Sequence, residues 1–439
     1  MGWRRRTAIG AAVTVVAAAV AWSQIGSDDG SGGDEVVVAP GAHPLLGGDV
    51  QPLADIGDVL PGRRPHLFVD GSWVLAASGT NYEAGGQTTT LLAASDDGGL
   101  SFRSIDIDAS LAGPHAVLQG DSAVLVGDHC APPVESNDAV CATADVRPLA
   151  FRVDLASGEV SEITPYPDDV SINGAVGRVD ASSIFHGVTR GSGDNVLVRL
   201  DDDGTWSTTP APRNASTVCA IEDTVVAVAS AAPLELPAPT DESRPPNAPP
   251  QTAVPSQPGI PEVFEGEALW HASVSADGGR SWSDAVAYRS RAERDMSFVI
   301  GTTCGPSQVM VNSAQLAAFD PDTQVWTTIE LPADLPGGIA PGTAAAWAGP
   351  HEFVIWTQGE GIGAPPTASH APGEVGEAPA IGTRAVRVSG IGTTDQPSVS
   401  VGEPVDVSSG QPSAALSPSA AANGFVLIAG DTTTIGRLG

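Results

Sequence analysis

Short apolar runs separated by turn residues dominate the chain from about residue 64 onward, and they constrain its fold most. Runs such as SWVLAAS, SAVLVGD, NVLVRL, TVVAVAS, QVMVNS and EFVIWT are rich in β-branched or alternating apolar residues, as in β-strands. No long stretch beyond the N-terminus has the apolar spacing of a helix. The pattern predicts an all-β protein built from repeated small sheets.

Two of the turns between these runs share one motif. Residues 95–102 read SDDGGLSF and residues 275–282 read SADGGRSW, so both match Ser-x-Asp-x-Gly-x-Ser-aromatic. Ser and Asp side chains can hydrogen-bond backbone N–H groups in a tight turn, and Gly supplies a positive φ. We interpret the motif as a structural device, with the aromatic residue packed between neighbouring sheets. Its residues are Ser95, Asp97, Gly99, Phe102, Ser275, Asp277, Gly279 and Trp282.

This motif is the Asp-box, and the chain resembles the sialidase-like (BNR-repeat) β-propeller superfamily that carries it. The resemblance implies four-stranded blades in which the box joins the two outer strands, on the side away from the ligand face. Four strands per blade place the units at about 64–107, 113–165, 172–210, 215–289, 296–332 and 342–403.

The two ends of the strand-rich region are expected to complete the ring. Residues 413–439 supply too few strands for a full blade, and residues 50–59 could supply the missing outer strand. Pairing the first strand with the last blade would remove exposed sheet edges. We therefore predict seven four-stranded blades closed by an N-terminal strand, with six or eight blades as alternatives.

The N-terminus has the pattern of an export signal. Arg residues at 4–6 precede an apolar run, residues 8–22, that is short for a membrane span. Residues 1–22 are therefore a signal peptide or an uncleaved membrane anchor, residues 23–49 a flexible linker and residues 50–439 a single propeller domain. Both alternatives predict an extracytoplasmic protein, either secreted or anchored to the cell membrane by this segment alone.

Charge narrows the classes of partner and chemistry. The chain has 52 Asp and Glu against 20 basic residues, all of them Arg, which gives a net charge of −32. Such acidity argues against a nucleic-acid partner, which requires a basic face. The absence of Lys excludes a Schiff-base lysine, a phosphate-loop lysine and a lysine general base.

Two insertions interrupt the spacing of the strands. Residues 231–267 are rich in Pro and acidic residues, and residues 358–382 are rich in Gly, Ala and Pro. Neither composition can form a packed core. Both insertions fall between the second and third strands of their blades, on the face that also carries the blade-to-blade connections.

Four cysteines suit an oxidising compartment. Cys130 and Cys141 flank a polar loop and are predicted to pair locally. Cys219 and Cys304 occupy matching positions before apolar strands, which predicts a disulfide between neighbouring units. The alternative for this second pair is two free, buried thiols. A metal site is not predicted, because no second CxxC or close His accompanies the cysteines.

Arg and His residues collect in the predicted blade-to-blade connections. Arg can bind a carboxylate with two parallel hydrogen bonds, so Arg residues at a channel mouth suit an anionic ligand. The alternative is that they pair with nearby acids at the surface. The ligand-binding candidates are Arg63, Arg64, His66, His115, Arg213, Arg291 and Arg294.

The resemblance also bears on catalysis. Sialidases of this superfamily bind the substrate carboxylate through an Arg-x-Pro motif before the first blade, and residues 63–65 (RRP) are similar to it. Those enzymes use a late Tyr, activated by a Glu, as nucleophile, whereas this chain has only Tyr82, Tyr166 and Tyr288. We therefore assign no catalytic residue and favour a non-catalytic propeller that binds a carbohydrate ligand or a protein partner through its loop-rich face. The alternative is a sialidase-like exo-glycosidase acting on an anionic sugar.

Cofactor signals are sparse in the sequence. The eight His residues show no metal-ligand spacing. Residues 201–204 (DDDG) could hold Ca²⁺ through carboxylate oxygens, and the alternative is a degenerate Asp-box turn. No other cofactor is expected.

Overall fold

The computed structural model describes residues 50–56, 59–60, 65–79, 90–130, 146–230, 267–291, 301–312, 316–330, 345–358, 382–393, 396–401, 405–406, 411–413, 418–429 and 433–438. All of them lie in one compact unit. The predicted signal or anchor (1–22), the linker (23–49) and most of the two insertions lie outside these ranges. Within the ranges, no helix has both the length and the apolar character required to cross a membrane.

The described strands form seven antiparallel sheets, numbered I to VII here. The first strand, β1 (Val50–Asp55), belongs to the last sheet. Sheets I to III are four-stranded meanders. Their strands are β2 (His66–Asp70), β3 (Trp73–Ser78), β4 (Leu91–Ser95) and β5 (Arg103–Ile105) in sheet I; β6 (Ala112–Gln119), β7 (Ser122–Cys130), β8 (Val146–Asp154) and β9 (Val160–Ile163) in sheet II; and β10 (Val170–Val179), β11 (Ser182–Thr189), β12 (Asn195–Leu200) and β13 (Trp206–Pro210) in sheet III.

The remaining sheets repeat this plan with two additions. Sheet VI gains a short fifth strand, and sheet VII is completed by β1. Their strands are β14 (Ala215–Ile221), β15 (Thr224–Ser230), β16 (Glu267–Ser275) and β17 (Val286–Arg291) in sheet IV; β18 (Gly301–Cys304), β19 (Val309–Asn312), β20 (Leu316–Asp320) and β21 (Val325–Ile329) in sheet V; β22 (Ala345–Gly349), β23 (Glu352–Gln358), β24 (Gly382–Ser389), β25 (Ser398–Val401) and β26 (Val405–Asp406) in sheet VI; and β27 (Gln411–Ser413), β28 (Phe425–Ala429) and β29 (Thr433–Leu438) in sheet VII.

The all-β class predicted from the sequence is confirmed. The strands follow the expected order of units, although β6, β10, β17 and β26 extend one to three residues beyond the predicted bounds. β1 pairs with β29 in the antiparallel register Val50↔Leu438, so an N-terminal strand does complete the last sheet. The strand ends at Asp55 rather than extending to residue 59. The insertions are each slightly shorter than predicted, because Glu267, Gln358 and Gly382 belong to strands.

The core lies in layers between consecutive sheets. Successive side chains of a strand point to opposite faces, so one strand contributes to two layers. In β2, Leu67 and Val69 join a buried cluster with Leu53 of β1, whereas Phe68 joins the cluster shared with sheet II. Similar clusters lie between sheets III and IV, IV and V, and V and VI. This two-sided burial explains why the strands read as nearly continuous apolar runs.

Each meander has connections on two opposite sides, which differ in length. The first-to-second and third-to-fourth connections leave on one side, which we call the corner face. Hydrogen bonds link its turns, as in Gly98 N–H to Ser72 O (2.9 Å) within sheet I and Gly120 N–H to Asp70 Oδ2 (2.8 Å) between sheets I and II. The second-to-third and sheet-to-sheet connections leave on the other side, which we call the long-connection face.

One short helix was not expected from the sequence. Helix α1 (Pro418–Ala422) interrupts the connection between β27 and β28 and contacts the first strands of sheets I, III, V and VI. Its Ala420 is fully buried and Ala421 is almost so. Small side chains allow the helix to fit where these first strands converge.

Candidate functional site

The first Asp-box corner is stabilised by its own side chains. Asp97 Oδ1 accepts hydrogen bonds from Ser95 Oγ (2.8 Å) and from the N–H groups of Leu100 (2.9 Å) and Ser101 (3.0 Å). Asp97 Oδ2 accepts one from Ser101 Oγ (2.7 Å), and Gly99 N–H donates to Ser95 Oγ (2.8 Å). Burial alone would raise the pKa of Asp97, but these donors hold it below its ordinary value.

The second corner repeats this network. Asp277 accepts hydrogen bonds from Ser275 Oγ, Ser281 Oγ and the N–H groups of Arg280 and Ser281 at 2.6–2.9 Å. The hydroxyl and N–H of Ser281 contribute most to lowering the pKa of Asp277. Gly279 has a φ of +87°, and a Cβ there would lie well inside van der Waals contact with Leu197 Cδ1. The corner's geometry therefore requires both its hydrogen bonds and its glycine.

The aromatic residue after each corner joins its sheet to the preceding one. Phe102 is buried in the layer that contains Leu53. At the other corners a Trp indole N–H donates to a backbone carbonyl at or beyond the outer strand of the preceding sheet. These pairs are Trp206 to Thr164 (2.7 Å), Trp282 to Pro210 (3.1 Å) and Trp326 to Val286 (3.1 Å). The corners thus organise packing between sheets.

The degenerate corner at residues 201–204 has carboxylates that already have protein partners. Asp201 Oδ1 accepts hydrogen bonds from Arg199 Nε (2.5 Å) and Ser182 Oγ (2.7 Å), and Asp203 Oδ1 accepts one from Thr205 N–H (2.9 Å). Within the described residues, no group of three His, Cys, Asp or Glu is placed to hold a metal ion. Ca²⁺ at this turn stays a prediction.

Two of the ligand-binding candidates lie together. His66 is the first residue of β2, and His115 lies in the middle of β6, so the two neighbouring first strands bring their rings to a centroid distance of 6.2 Å. Burial lowers the pKa of His66, and burial together with the nearby His66 lowers the pKa of His115 to about 4. Both rings are therefore neutral near pH 7 and offer hydrogen bonds rather than positive charge.

The predicted arginine cluster falls mostly on residues outside the described ranges, so the structure does not test it. Arg213 is exposed in the turn before β14, and Arg291 is the last residue of β17 rather than part of a connection. Arg63, Arg64 and Arg294 lie outside the described residues. An Arg clamp for an anionic ligand stays a prediction.

A half-buried polar cluster on the long-connection face was missed by the sequence analysis. Asp128 Oδ1 accepts hydrogen bonds from Tyr166 Oη (2.5 Å) and Arg190 Nη2 (2.7 Å), and its Oδ2 accepts one from Ser171 Oγ (3.3 Å). Arg190 Nε also donates to Val170 O (2.9 Å). These residues come from sheets II and III and from the connection between them, so the cluster joins the two sheets. No local motif marks it, because its members are far apart in sequence.

The described tyrosines are not activated nucleophiles. Burial and the adjacent Asp128 carboxylate raise the pKa of Tyr166 well above its ordinary value. Burial also raises the pKa of Tyr288, whose ring stacks on Trp326 at a centroid distance of 5.2 Å. A nucleophilic tyrosine requires the opposite shift, because the phenolate is the reactive form.

The second predicted disulfide is confirmed. Cys219 of β14 and Cys304 at the end of β18 are bonded, with their Cα atoms 5.8 Å apart. The bond joins the first strands of sheets IV and V, so the alternative of free thiols is wrong. The predicted Cys130–Cys141 pair lies outside the described side chains.

A central cavity of about 380 Å³ lies among the first strands. We expected a binding cavity on the face opposite the corners, but the charged residues of this one come from the corner side. The reason is that first strands end at the corner face, so their last residues and the hairpins after them surround the cavity. Its lining residues are Val69, Asp70, Ala116, Val117, Leu118, Ala175, Val176, Gly177, Arg178, Ala220, Glu222, Cys304, Gly305, Pro306, Ala422 and Asn423.

Comparisons with known proteins yield only distant structural likenesses. No family model matches the chain. No curated protein matches it either. Similar solved structures include virginiamycin B lyase from Staphylococcus aureus (13% identity, 88% of this chain and 98% of that chain, TM-score 0.43) and a protein from Lactobacillus plantarum (10%, 82% and 89%, TM-score 0.38).

A third similar structure is Trypanosoma rangeli sialidase, at 11% identity and a TM-score of 0.37. The match covers 85% of this chain and 54% of that one, so this chain spans about half the length of the sialidase. Such low identities and TM-scores cannot carry an activity, a substrate or a blade number over to this chain.

Proposed function

We propose that this chain is an exported, non-catalytic β-propeller of seven blades, of the Asp-box type, that binds a carbohydrate ligand or a protein partner through its long-connection face. The observation that carries the proposal is the asymmetry between the two faces. Hydrogen-bonded corners and short hairpins occupy one face. The four longest connections, 131–145, 231–266, 330–344 and 359–381, join second to third strands or one sheet to the next, and all therefore leave from the other.

Such an arrangement suits recognition. A scaffold of packed sheets fixes where each connection begins and ends, and variation in the connections then determines what is bound. Seven sheets within the described residues, with β1 pairing with β29, support closure of the scaffold into a ring. The convergence of first strands on α1 supports the same arrangement.

Export is supported by the Cys219–Cys304 disulfide, since stable disulfides are typical of oxidising compartments. Cell fractionation and N-terminal sequencing of the mature protein test this part. Recovery from the medium or from membranes, with or without residues 1–22, agrees with it. A cytosolic protein with free thiols at these two cysteines contradicts it.

The absence of catalysis is supported by the two described tyrosines, whose environments disfavour the phenolate. The test is hydrolysis of a panel of fluorogenic glycosides, including sialosides, by the wild type and by the Arg63→Ala/Arg64→Ala double variant. We expect no turnover by either protein. Turnover that the double substitution abolishes would establish the sialidase-like alternative instead.

Recognition by the long-connection face is tested by crosslinking the protein to intact cells of its source and identifying the partners by mass spectrometry. One variant has a short Gly-Ser linker in place of residues 232–265, and a matched control variant carries Arg280→Ala on the corner face. We expect partners to be lost from the linker variant and retained by the control. The reverse result contradicts the proposal.

A further inference from the structure

The central cavity bears two charged side chains at positions where the repeat itself carries other residues. The first hairpins of sheets I to IV share one register, because Asp70 pairs with Trp73, Gln119 with Ser122, Val179 with Ser182 and Ile221 with Thr224. The four sheets can therefore be compared residue by residue around the cavity, within a single chain.

The position compared first is the residue just before the last paired residue of the first strand. It is apolar in three of the four sheets. Val69, Leu118 and Ala220 occupy the position in sheets I, II and IV, and Arg178 occupies it in sheet III. All four residues line the cavity. An apolar residue suits this position, so the fold does not require an arginine here. Arg178 also stands out because the chain has far fewer basic than acidic residues.

The first turn residue of these hairpins also varies. Gly71 and Gly120 hold this position in sheets I and II at φ values of +61° and +62°, whereas Asp180 and Glu222 adopt φ values of +52° and +50° in sheets III and IV. A left-handed conformation costs a non-glycine residue about 1 kcal/mol or more. Of these four residues, Glu222 lines the cavity, and it directly follows β14, whose neighbouring first strand β10 carries Arg178.

Both charged groups are available to a ligand. Arg178 and Glu222 are exposed, and within the described residues neither has a hydrogen-bonding or ion-pair partner. Asp70 adds a second carboxylate to the lining, although its Oδ2 already accepts a hydrogen bond from Gly120 N–H (2.8 Å). A guanidinium binds a carboxylate through two parallel hydrogen bonds, and a carboxylate binds an ammonium group through charge-assisted ones.

The other residues that line the cavity indicate the size and polarity of the rest of the ligand. Apolar residues such as Val69, Val117 and Val176 line the cavity, and the volume of about 380 Å³ lies near the lower end of ligand pockets. We propose that this cavity binds a free apolar α-amino acid, whose carboxylate pairs with Arg178 and whose ammonium group pairs with Glu222. The site lies on the corner side and does not depend on the proposed function.

The repeat also supplies the variants for a test. Arg178→Leu installs the residue of the equivalent position 118, and Glu222→Gly installs that of positions 71 and 120, so both should fold. Thermal unfolding checks this. Arg152→Leu is the matched control, because Arg152 is exposed on β8 and does not line the cavity.

Isothermal titration of the full-length protein with L-leucine, N-acetyl-L-leucine and L-leucinamide measures binding. We expect the wild type and Arg152→Leu to bind leucine equally, and Arg178→Leu and Glu222→Gly each to bind it at least tenfold more weakly. N-acetylleucine, which lacks the ammonium group, and leucinamide, which lacks the carboxylate, should both bind the wild type at least tenfold more weakly than leucine. The proposal is overturned if the wild type does not bind leucine at millimolar concentration, if either analogue binds as well as leucine, or if folded Arg178→Leu or Glu222→Gly binds leucine as the wild type does.

Discussion

The two faces of the molecule differ in how their connections are determined. On the corner face, short turns such as 96–102 and 276–285 are closed by side chains of the turn and of the strand residue just before it. On the long-connection face, the polar contacts join residues distant in sequence, as when Asp128 binds Tyr166 and Arg190. Local bonding restrains length and composition, so the corners repeat while the opposite connections vary. The corner face is therefore held together locally, whereas the long-connection face is held together by contacts between distant segments.

Removing the disulfide that joins the first strands of sheets IV and V should have the largest effect on the stability of the protein. The Cys219→Ala/Cys304→Ala variant removes a disulfide between buried residues that are 85 positions apart. The unfolded chain gains conformational freedom, and we expect a loss of about 2–5 kcal/mol in the free energy of unfolding. Denaturant unfolding of the oxidised proteins measures it. Equal stability of the variant and the wild type would show that the sheets need no covalent restraint here.

Two glycines, one on each face, allow the packing of the two faces to be compared through the stability cost of an alanine substitution. Gly279 and Gly191 both have a left-handed φ, of +87° and +97°, but a Cβ at position 279 meets Leu197 whereas one at position 191 meets nothing within 4 Å. Gly191→Ala should cost about 1–2 kcal/mol from backbone strain alone. Gly279→Ala should cost about 1–3 kcal/mol more because it also overpacks the layer. Chemical denaturation of both variants measures the difference, and equal losses would contradict the claim that the corner is packed against the neighbouring sheet.

The same contrast explains what could be predicted from the sequence. The strands, the corners, the added strand at 50–55 and the Cys219–Cys304 bond were predictable, because each depends on local composition or on repeat position. The Asp128 cluster depends on three segments meeting in space. Helix α1 is five residues long and is stabilised by the strands around it rather than by its own sequence.

The central cavity was not predicted from the sequence, for a different reason. We expected the longest connections to converge on a site, but the charged cavity residues are the last residues of first strands and the hairpins after them. The difference between Arg178 and the equivalent residues Val69, Leu118 and Ala220 becomes visible only when the pairing of the strands aligns the four positions. The sequence contains this signal, and hairpin-by-hairpin alignment of the first strands could have revealed it.

Acidification should affect the long-connection face before it affects the corners. The folded-state pKa of His115 is lowered from 6.5 to about 4, so the unfolded state binds more protons between these values and stability falls as the pH drops through this window. At pH 5 we expect about 2 kcal/mol less stability from this residue than at pH 7.5. Asp97 and Asp277 have lowered pKa values, so their contribution is lost only as the pH falls below about 4.

Urea unfolding of the wild type and of His115→Gln at pH 7.5 and pH 5 separates these contributions. The His115→Gln variant removes the titrating group and should lose less stability between the two pH values than the wild type does. His271→Gln is the control, since this histidine lies in β16 away from the pair. Identical pH dependence in the wild type and His115→Gln would contradict the assignment to His115.

The smallest expected effect concerns the aromatic residues after the corners. Trp282→Phe keeps an aromatic ring, as Phe102 does at the first corner, but removes the hydrogen bond from the indole N–H to Pro210 O (3.1 Å). One partly solvated hydrogen bond contributes about 0.5–1 kcal/mol, so urea unfolding should show a loss of this size. Trp326→Phe removes the equivalent bond to Val286 O and should lose a similar amount. A loss near that of a buried Trp→Ala change, about 3–5 kcal/mol, would mean that the indole ring itself, rather than its hydrogen bond, holds the corner against the preceding sheet.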